Sequence, residues 1–347
     1  MHNDLSKNGE VLYIVNLQTE FINFHDKIKL SFDDNAELRN KRDILLNKLR
    51  KNISDDAPSF DDFSQGSYGM HTGVKPDNGD YDIDVGLRFS LSRDDYPDPV
   101  TVKQWVFDAL DGHTQKVEIR RSCVTVTYQK NGEAAYHVDF ACYADEDSNL
   151  YIGKGKKGSS EENRYWEKSD PLGLMDKMKS LFVDEDDRAH FRRIIRYMKK
   201  WKNKHLILSG NGTPTGIALT ALAYDHFVPR YVNNQATGKR SYDDFSALKE
   251  FVENVKGAFT EFYDSDSVVH HKISQRLFVS PFNDLFSKMT QNQQDSFYDK
   301  ISTLFSNLEK AEKQTKRSEA CKIMVEIFGN DFPVTTERSL VGHSESA

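Results

Sequence analysis

The stretch GSYGMHTGVKPDNGDYDIDVGLRF, residues 66–89, joins a glycine-serine turn to a polar loop and then to a run containing two aspartates. From Tyr81 to Phe89 every odd position is apolar, and this alternation predicts a strand with one buried face. Asp82 and Asp84 therefore share the other face, about 7 Å apart. Neighbouring carboxylates repel each other, and a polyvalent cation would relieve that repulsion.

A third aspartate occupies a similar position in a later predicted strand. In YHVDFAC, residues 136–142, Val138 and Phe140 point to one face and Asp139 to the other. An unpaired carboxylate in so apolar a strand is costly, so Asp139 needs a partner. If the two strands are neighbours, three carboxylates converge and suit Mg²⁺. The alternative interpretation is a polar face turned to solvent, with Asp82 and Asp84 as ordinary surface residues.

The glycine-serine pair adds a second kind of signal. A Gly66-Ser67 turn that opens a short helix presents backbone amides and a hydroxyl, which favour anions such as the terminal phosphates of a nucleotide. Such a pair alone is weak evidence. Because Asp-Ile-Asp follows it within one loop, the combination indicates a nucleotide site rather than a solvated sheet face.

Hydrophobic spacing predicts the remaining organisation of the chain. Residues 13–52 form two helices or one bent helix, interrupted near residues 31–34. A mixed sheet with helices follows, and from Asp186 the second half is all-helical. The predicted segments are strands 117–128 and 135–143 joined across Asn131-Gly132, a loop at 153–160, and helices at 102–110, 186–201, 217–227, 242–262 and 295–327.

Composition narrows the functional class. Lys and Arg total 47 against 54 Asp and Glu, a net charge of −7, which argues against a chain whose task is to grip long nucleic acid. Cys123, Cys142 and Cys321 lack zinc-site spacing and are expected to be free thiols. No leader pattern and no apolar run of about 18 residues is found, so we expect a cytoplasmic protein without a membrane segment.

These residues together resemble the polymerase-beta-like nucleotidyltransferases. Their pattern is a glycine-serine turn, an alternating acidic pair on a strand and a third acid on a later strand, matched by Gly66, Ser67, Asp82, Asp84 and Asp139. Within that superfamily the sequence is most similar to the CD-NTases, bacterial relatives of cyclic GMP-AMP synthase and the oligoadenylate synthetases. The blocks that carry this finer likeness are residues 24–30, 39–43, 66–87, 196–201 and 214–219.

The resemblance implies a two-lobed α+β fold. Residues 1–185 would form a mixed-sheet catalytic lobe with an N-terminal helix, 186–333 an oligoadenylate-synthetase-like helical lobe, and 334–347 a flexible tail. Asp82, Asp84 and Asp139 would be catalytic and hold two Mg²⁺ ions, for which Mn²⁺ can substitute. Gly66, Ser67, Lys199 and Thr215 would bind the nucleotide phosphates. An ordinary solvated helix charge is the alternative for Lys199.

The resemblance also implies a function. The chain would join ATP and other nucleoside triphosphates, release pyrophosphate and close the product into a cyclic di- or trinucleotide. This second messenger would activate a separate effector protein in bacterial antiphage defence of the CBASS type. A regulatory or conjugating accessory protein is a further implied partner, which would join the C-terminal tail to other proteins. No long nucleic acid is expected as a partner.

Two other functions stay open. The first is a linear oligonucleotide synthetase or an enzyme that nucleotidylates RNA, protein or a small molecule. The second is a catalytically silent nucleotide-binding scaffold. The complete set of three aspartates argues against a catalytically silent protein, because the evolutionary loss of activity normally removes one of the three.

Overall fold

The computed structural model describes residues 3–5, 11–13, 15–30, 32–77, 81–130, 133–206, 212–233 and 235–335. Two compact units make up the chain. The sheet unit comprises Lys29–Arg188 and Arg276–Asp284, and the helical unit comprises Met1–Ile28, Ala189–Gln275 and Leu285–Ala347. Residues 1–28 thus lie in the helical unit and residues 276–284 in the sheet unit, whereas the predicted lobes were 1–185 and 186–333. The predicted lobe boundaries stay predictions.

The secondary structure of the described residues consists of short strands and mostly longer helices. The helices are α1 Gln18–Ile28, α2 Phe32–Asn52, α3 Gly66–Gly69, α4 Pro99–Leu110, α5 Pro171–Ser180, α6 Glu185–His205, α7 Gly216–His226, α8 Asp244–Gly257, α9 Gln291–Glu312 and α10 Arg317–Phe328. The strands are β1 Asn3–Leu5, β2 Val11–Tyr13, β3 Phe60–Ser64, β4 Tyr81–Phe89, β5 Lys116–Ile119, β6 Val124–Lys130, β7 Glu133–Glu146, β8 Asn149–Lys154, β9 Tyr165–Ser169, β10 Tyr231–Asn233, β11 Arg240–Tyr242, β12 Thr260–Tyr263 and β13 Val269–Lys272.

Seven strands of the sheet unit form one mixed sheet. The order is β3-β4-β7-β6-β5, and β8 joins the sheet by pairing with both β7 and β9. Strands β4 and β7 run parallel, whereas the other neighbouring pairs are antiparallel. The predicted α+β class, with a mixed-sheet part and a mainly helical part, is confirmed.

One face of this sheet packs against α2 and α4. The odd positions of β4 from Ile83 to Phe89 are at most 1% exposed and share a core with Leu45 of α2 and Val106 of α4. On the opposite face, the aromatic ring of Phe63 lies where a side chain at Gly86 would stand, 2.1 Å from an ideal Cβ. The side chains between the sheet and these two helices stabilise the unit, because they are removed from water.

The predicted strand at 117–128 is wrong in one respect, because the chain turns within it. The backbone N–H of Arg120 donates to the carbonyl of Cys123 at 2.8 Å, and β5 and β6 pair as a hairpin across this turn. The predicted turn at Asn131-Gly132 lies outside the described residues. The antiparallel pairing of β6 with β7 agrees with the predicted hairpin.

A buried lysine holds two loops of the sheet unit together. Lys103 of α4 is 0% exposed, and its Nζ donates to the carbonyls of Arg121 at 3.0 Å, of Arg120 at 3.3 Å and of Gly155. Gly155 begins the part of the predicted 153–160 loop that follows β8. Burial lowers the pKa of Lys103 to about 8, because the charged amine loses hydration.

The helical unit is built around an aromatic cluster that brings α1, α6 and α10 together. Phe21 and Phe24 of α1 are fully buried, and their rings lie 5.2 and 5.4 Å from the ring of Tyr197 on α6. Phe328 of α10 lies 4.8 Å from Phe24. The helical spacing of Phe21, Phe24 and Ile28 in the sequence thus marks a genuinely buried face.

A buried carboxylate ties α6 to the start of α8. Asp244 is 0% exposed and accepts from the guanidinium of Arg193 at 2.7 and 2.8 Å and from the hydroxyl of Tyr197 at 2.7 Å. The side-chain amide of Gln18 donates to it at 3.0 Å. Burial alone would raise the pKa of Asp244, yet the hydrogen bond and charge of Arg193 hold it below its usual value.

The prediction that the second half of the chain is all-helical is wrong. This half contains the two-stranded hairpins β10–β11 and β12–β13. The helix predicted at 242–262 ends at Gly257, and the one predicted at 295–327 is divided into α9 and α10. None of the helices that the structure describes combines the length and apolarity needed to cross a bilayer. The predicted tail lies outside the described residues from 336 onward.

Candidate active site

The three predicted aspartates lie on the two parallel strands at the centre of the sheet. Asp84 of β4 and Asp139 of β7 are register partners, and Asp82 is one pleat earlier on β4. Paired residues of neighbouring strands are about 4.8 Å apart and point to the same face. The structure therefore places all three carboxylates on the face opposite the α2–α4 core. Asp82 is exposed, whereas Asp84 and Asp139 are half-buried.

The predicted glycine-serine turn lies directly against this acidic pair. Gly66 has a φ of +62°, and an ideal Cβ built on it would stand 1.9 Å from Asp84 Oδ2. The N–H of Gln65 donates to the carbonyl of Asp84 at 3.2 Å, which fixes the entry to the turn. Only glycine fits here, because the backbone is left-handed and the carboxylate occupies the space of a side chain. Ser67, the other predicted turn residue, follows in the single-turn helix α3.

Two residues not predicted from the sequence hold the turn in place. The hydroxyl of Tyr143, on β7, donates to Gln65 Oε1 at 2.7 Å. Tyr143 is 3% exposed, and burial, together with the nearby charge of Asp84, raises the pKa of its phenol well above the usual value. Tyr143 therefore remains a neutral donor. Its position, on the same strand face as Asp139, is the signal that could have identified it.

Asp139 has a neighbour on β6 that sequence reasoning also missed. Thr125 Oγ1 donates to Asp139 Oδ1 at 2.5 Å, and Cys123 Sγ lies 3.5 Å from the same hydroxyl. Burial, with a smaller contribution from the charge of Asp139, raises the pKa of Cys123 to about 12. The thiol is therefore neutral near pH 7 and does not act as a nucleophile.

A histidine extends the polar face beside Asp82. His137 of β7 is the register partner of Asp82, and its Nδ1 lies 3.1 Å from Thr127 Oγ1. Within YHVDFAC, His137 shares the parity of Asp139, so alternation alone could have placed it on this face.

The chemistry of the donors fits a divalent cation. Carboxylate oxygens are the ligands that Mg²⁺ prefers, and the register brings two aspartates side by side with a third one pleat away. In the described part of the chain, however, no three acidic, histidine or cysteine side chains converge on one point as they stand. Filling the site therefore requires the side chains of Asp82 and Asp84 to turn toward Asp139, whose carboxylate is held by Thr125.

Lys199 and Thr215 lie in the helical unit and are brought together there. Lys199 of α6 is 9% exposed, so it is not an ordinary solvated helix charge. Its Cε lies 3.5 Å from the ideal Cβ position of Gly216, the first residue of α7. Thr215 caps that helix, and its Oγ1 accepts from the N–H of Ala218 at 3.3 Å. A buried cation thus lies beside a helix N-terminus, an arrangement that favours anions.

Comparisons with known proteins agree with the motifs. Residues 60–143 match the family model of the "Cyclic GMP-AMP synthase DncV-like, nucleotidyltransferase domain". A protein of Escherichia albertii named cyclic GMP-AMP synthase is 26% identical over 193 residues, which is 54% of this chain but only 42% of that protein. The chain thus spans less than half of this curated relative.

Solved structures with the same fold include DncV of Vibrio cholerae, a cyclic AMP-GMP synthase. Its crystal structure matches 92% of this chain and 97% of its own with a TM-score of 0.67 and 18% identity. A second structure of that protein, in complex with the linear intermediate 5′ pppA(3′,5′)pG, matches with the same TM-score and 17% identity. The two-part nucleotidyltransferase fold that the resemblance implied is thereby confirmed. Residues 60–143 are thus similar to a DncV-like nucleotidyltransferase domain, and the fold of the chain is that of DncV.

Proposed function

We propose that this chain joins nucleoside triphosphates with release of pyrophosphate and closes the product into a cyclic di- or trinucleotide. The register of Asp84 with Asp139 carries the proposal, because it gathers the acidic residues beside the turn at Gly66. Relatives support it: one is named a cyclic GMP-AMP synthase, and a solved neighbour is described with a linear dinucleotide intermediate.

The aspartates have distinct roles in the proposed reaction. Asp82, Asp84 and Asp139 would hold two Mg²⁺ ions, or Mn²⁺ in their place. Such ions, when bound, neutralise phosphate charge and make a hydroxyl more acidic. The acceptor's ribose hydroxyl loses its proton beside Asp139. Its oxygen bonds to the donor's α-phosphorus, and the bond from that phosphorus to pyrophosphate breaks.

Backbone and cationic groups would bind the phosphates. Gly66, the first residue of α3, packs against the Asp84 carboxylate, so a donor triphosphate that approaches the aspartates would meet the amides at the start of α3 and the hydroxyl of Ser67. In the helical unit, Lys199 would neutralise phosphate charge beside the N-terminus of α7, and the Thr215 hydroxyl can donate to a phosphate oxygen while it caps that helix.

The cellular role that fits this chemistry is antiphage signalling in a bacterium. The chain would act in the cytoplasm, where nucleoside triphosphates are available, and its product would activate a separate effector protein in a CBASS-type system. An accessory protein that regulates the chain or conjugates its C-terminal tail to another protein is a further element of this proposal. The support for these statements is the match of residues 60–143 to the DncV-like nucleotidyltransferase domain and the likeness of the motifs to the CD-NTases.

The test is the product formed from all four nucleoside triphosphates with Mg²⁺ or Mn²⁺. Mass spectrometry after phosphatase treatment should find a resistant cyclic oligonucleotide, and Asp84→Asn or Asp139→Asn should abolish it. Asp61→Asn, a change at a carboxylate that is 79% exposed on β3, should leave the product unchanged.

Three outcomes would contradict the proposal. Only phosphatase-sensitive oligomers would indicate a linear synthetase, and label on a protein or small amine would indicate a nucleotidylating enzyme. A folded chain that binds ATP without turnover would be a silent scaffold.

A further inference from the structure

Thr125 is placed so that its hydroxyl can act on one carboxylate alone. It lies on β6 directly opposite Asp139 of β7, as its register partner in an antiparallel pair. The side chain is 0% exposed, and its Oγ1 donates to Asp139 Oδ1 at 2.5 Å. The threonine hydroxyl is the donor of this hydrogen bond, and the carboxylate oxygen accepts it.

The burial of Thr125 restricts its hydroxyl to this one hydrogen-bonding partner among the carboxylates. A β-branched side chain in a strand has few accessible rotamers, and full burial removes the alternative of bonding to water. The hydroxyl therefore holds Asp139 Oδ1 at one position, and this fixes the rotation of the whole carboxylate.

A second pair on the same strands repeats the arrangement one pleat away. Thr127 is 3% exposed and lies opposite His137, with Oγ1 and Nδ1 3.1 Å apart. Two buried threonines of β6 thus engage two polar side chains of β7. Side chains alternate along β6, and Val124 and Val126 lie in the core. The two threonine hydroxyls therefore lie on the face that carries the aspartates.

We infer that Thr125 is a positioning residue, which orients Asp139 so that the carboxylate takes up the divalent cation in the reactive geometry. The inference rests on the proposed function and deepens it. Groups that hydrogen-bond a metal-binding side chain typically change metal affinity or activity about 10–100-fold when they are removed. A similar loss is expected here.

The test compares Thr125→Val, which keeps the shape but removes the donor, with Thr125→Ser, which keeps the donor. Mn²⁺ binding is followed by electron paramagnetic resonance of the free ion, and product formation is measured in parallel. Thr125→Val should weaken Mn²⁺ binding and turnover by about 10–100-fold, and Thr125→Ser should restore both toward wild type. Thr127→Val, equally buried but directed at His137, should bind Mn²⁺ as wild type does.

Other results would overturn the inference. Unchanged Mn²⁺ binding and turnover in Thr125→Val would show that the hydroxyl is not needed, and equal losses in the serine and valine variants would show that packing matters instead. If the valine variant does not fold, Thr125→Ala and Thr125→Ser give the same comparison, because they differ by the hydroxyl alone. Failure of the wild type to bind Mn²⁺ would refute the proposed function itself, and the inference with it.

Discussion

Replacing Gly66 by alanine tests whether the glycine-serine turn has to lie against Asp84. The new Cβ would stand 1.9 Å from Asp84 Oδ2 and 2.7 Å from its Cγ, whereas Cβ contacts below 3.0 Å are essentially never found. Either the carboxylate or the turn must therefore move by roughly 1 Å. A shift of that size at a reacting group costs about 100-fold in rate.

Backbone strain has to be separated from this contact. Alanine in the left-handed region costs about 1–2 kcal/mol whatever its surroundings. Gly112 provides the matched control, since its φ is +69° and no heavy atom lies within 4 Å of its ideal Cβ. Both variants should lose at least about 1–2 kcal/mol of unfolding free energy in urea, but only Gly66→Ala should lose product formation by about 100-fold or more. Equal activity of the two variants would refute the reasoning.

Two further predictions concern buried charges. Lys103→Met removes the donor to the carbonyls of Arg120, Arg121 and Gly155 and should lower the unfolding free energy by about 1–3 kcal/mol near pH 7. Burial lowers the pKa of Lys103 to about 8, so between pH 8 and 10.5 the unfolded chain holds a proton that the folded chain has released. Wild type should therefore gain stability relative to Lys103→Met as pH rises through this window, and urea melts that show the opposite trend would contradict a depressed pKa. Asp244→Asn leaves the Arg193 guanidinium buried without its counter-charge and should cost about 3–5 kcal/mol, whereas Glu250→Gln, in an exposed pair with Arg230, should cost less than about 1 kcal/mol; similar midpoints for the two would show that Asp244 is not a buried ion partner.

The local hydrophobic pattern predicted an element correctly where the burial of one face was the dominant signal. The alternation of residues 81–89 predicted β4 with its observed ends, because a strand with one buried face leaves a period of two in its sequence. The same reasoning assigned Asp82, Asp84 and Asp139 to the strand faces opposite the apolar side chains. It failed at 117–128, where the β5–β6 turn at 120–123 contains neither glycine nor proline and the apolar pattern continues on both sides.

In the second half of the chain, hydrophobic spacing also failed to predict where helices end. The break between α9 and α10 and the hairpin after Gly257 occur within stretches whose apolar spacing still reads as helical. At the end of α8 the difference is one of burial. The last buried apolar side chain of the helix is Val255, whereas Phe262 and Tyr263 of β12 are exposed.

For this protein the sequence by itself determined which residue types share a face, which turn offers backbone amides and which family the motifs resemble. Only the tertiary structure decided that β4 and β7 are parallel neighbours, that Asp84 and Asp139 meet in register, and that Thr125 holds Asp139. The physical reason is that periodicity records burial along one strand, whereas strand order and register depend on pairing between segments far apart in the chain.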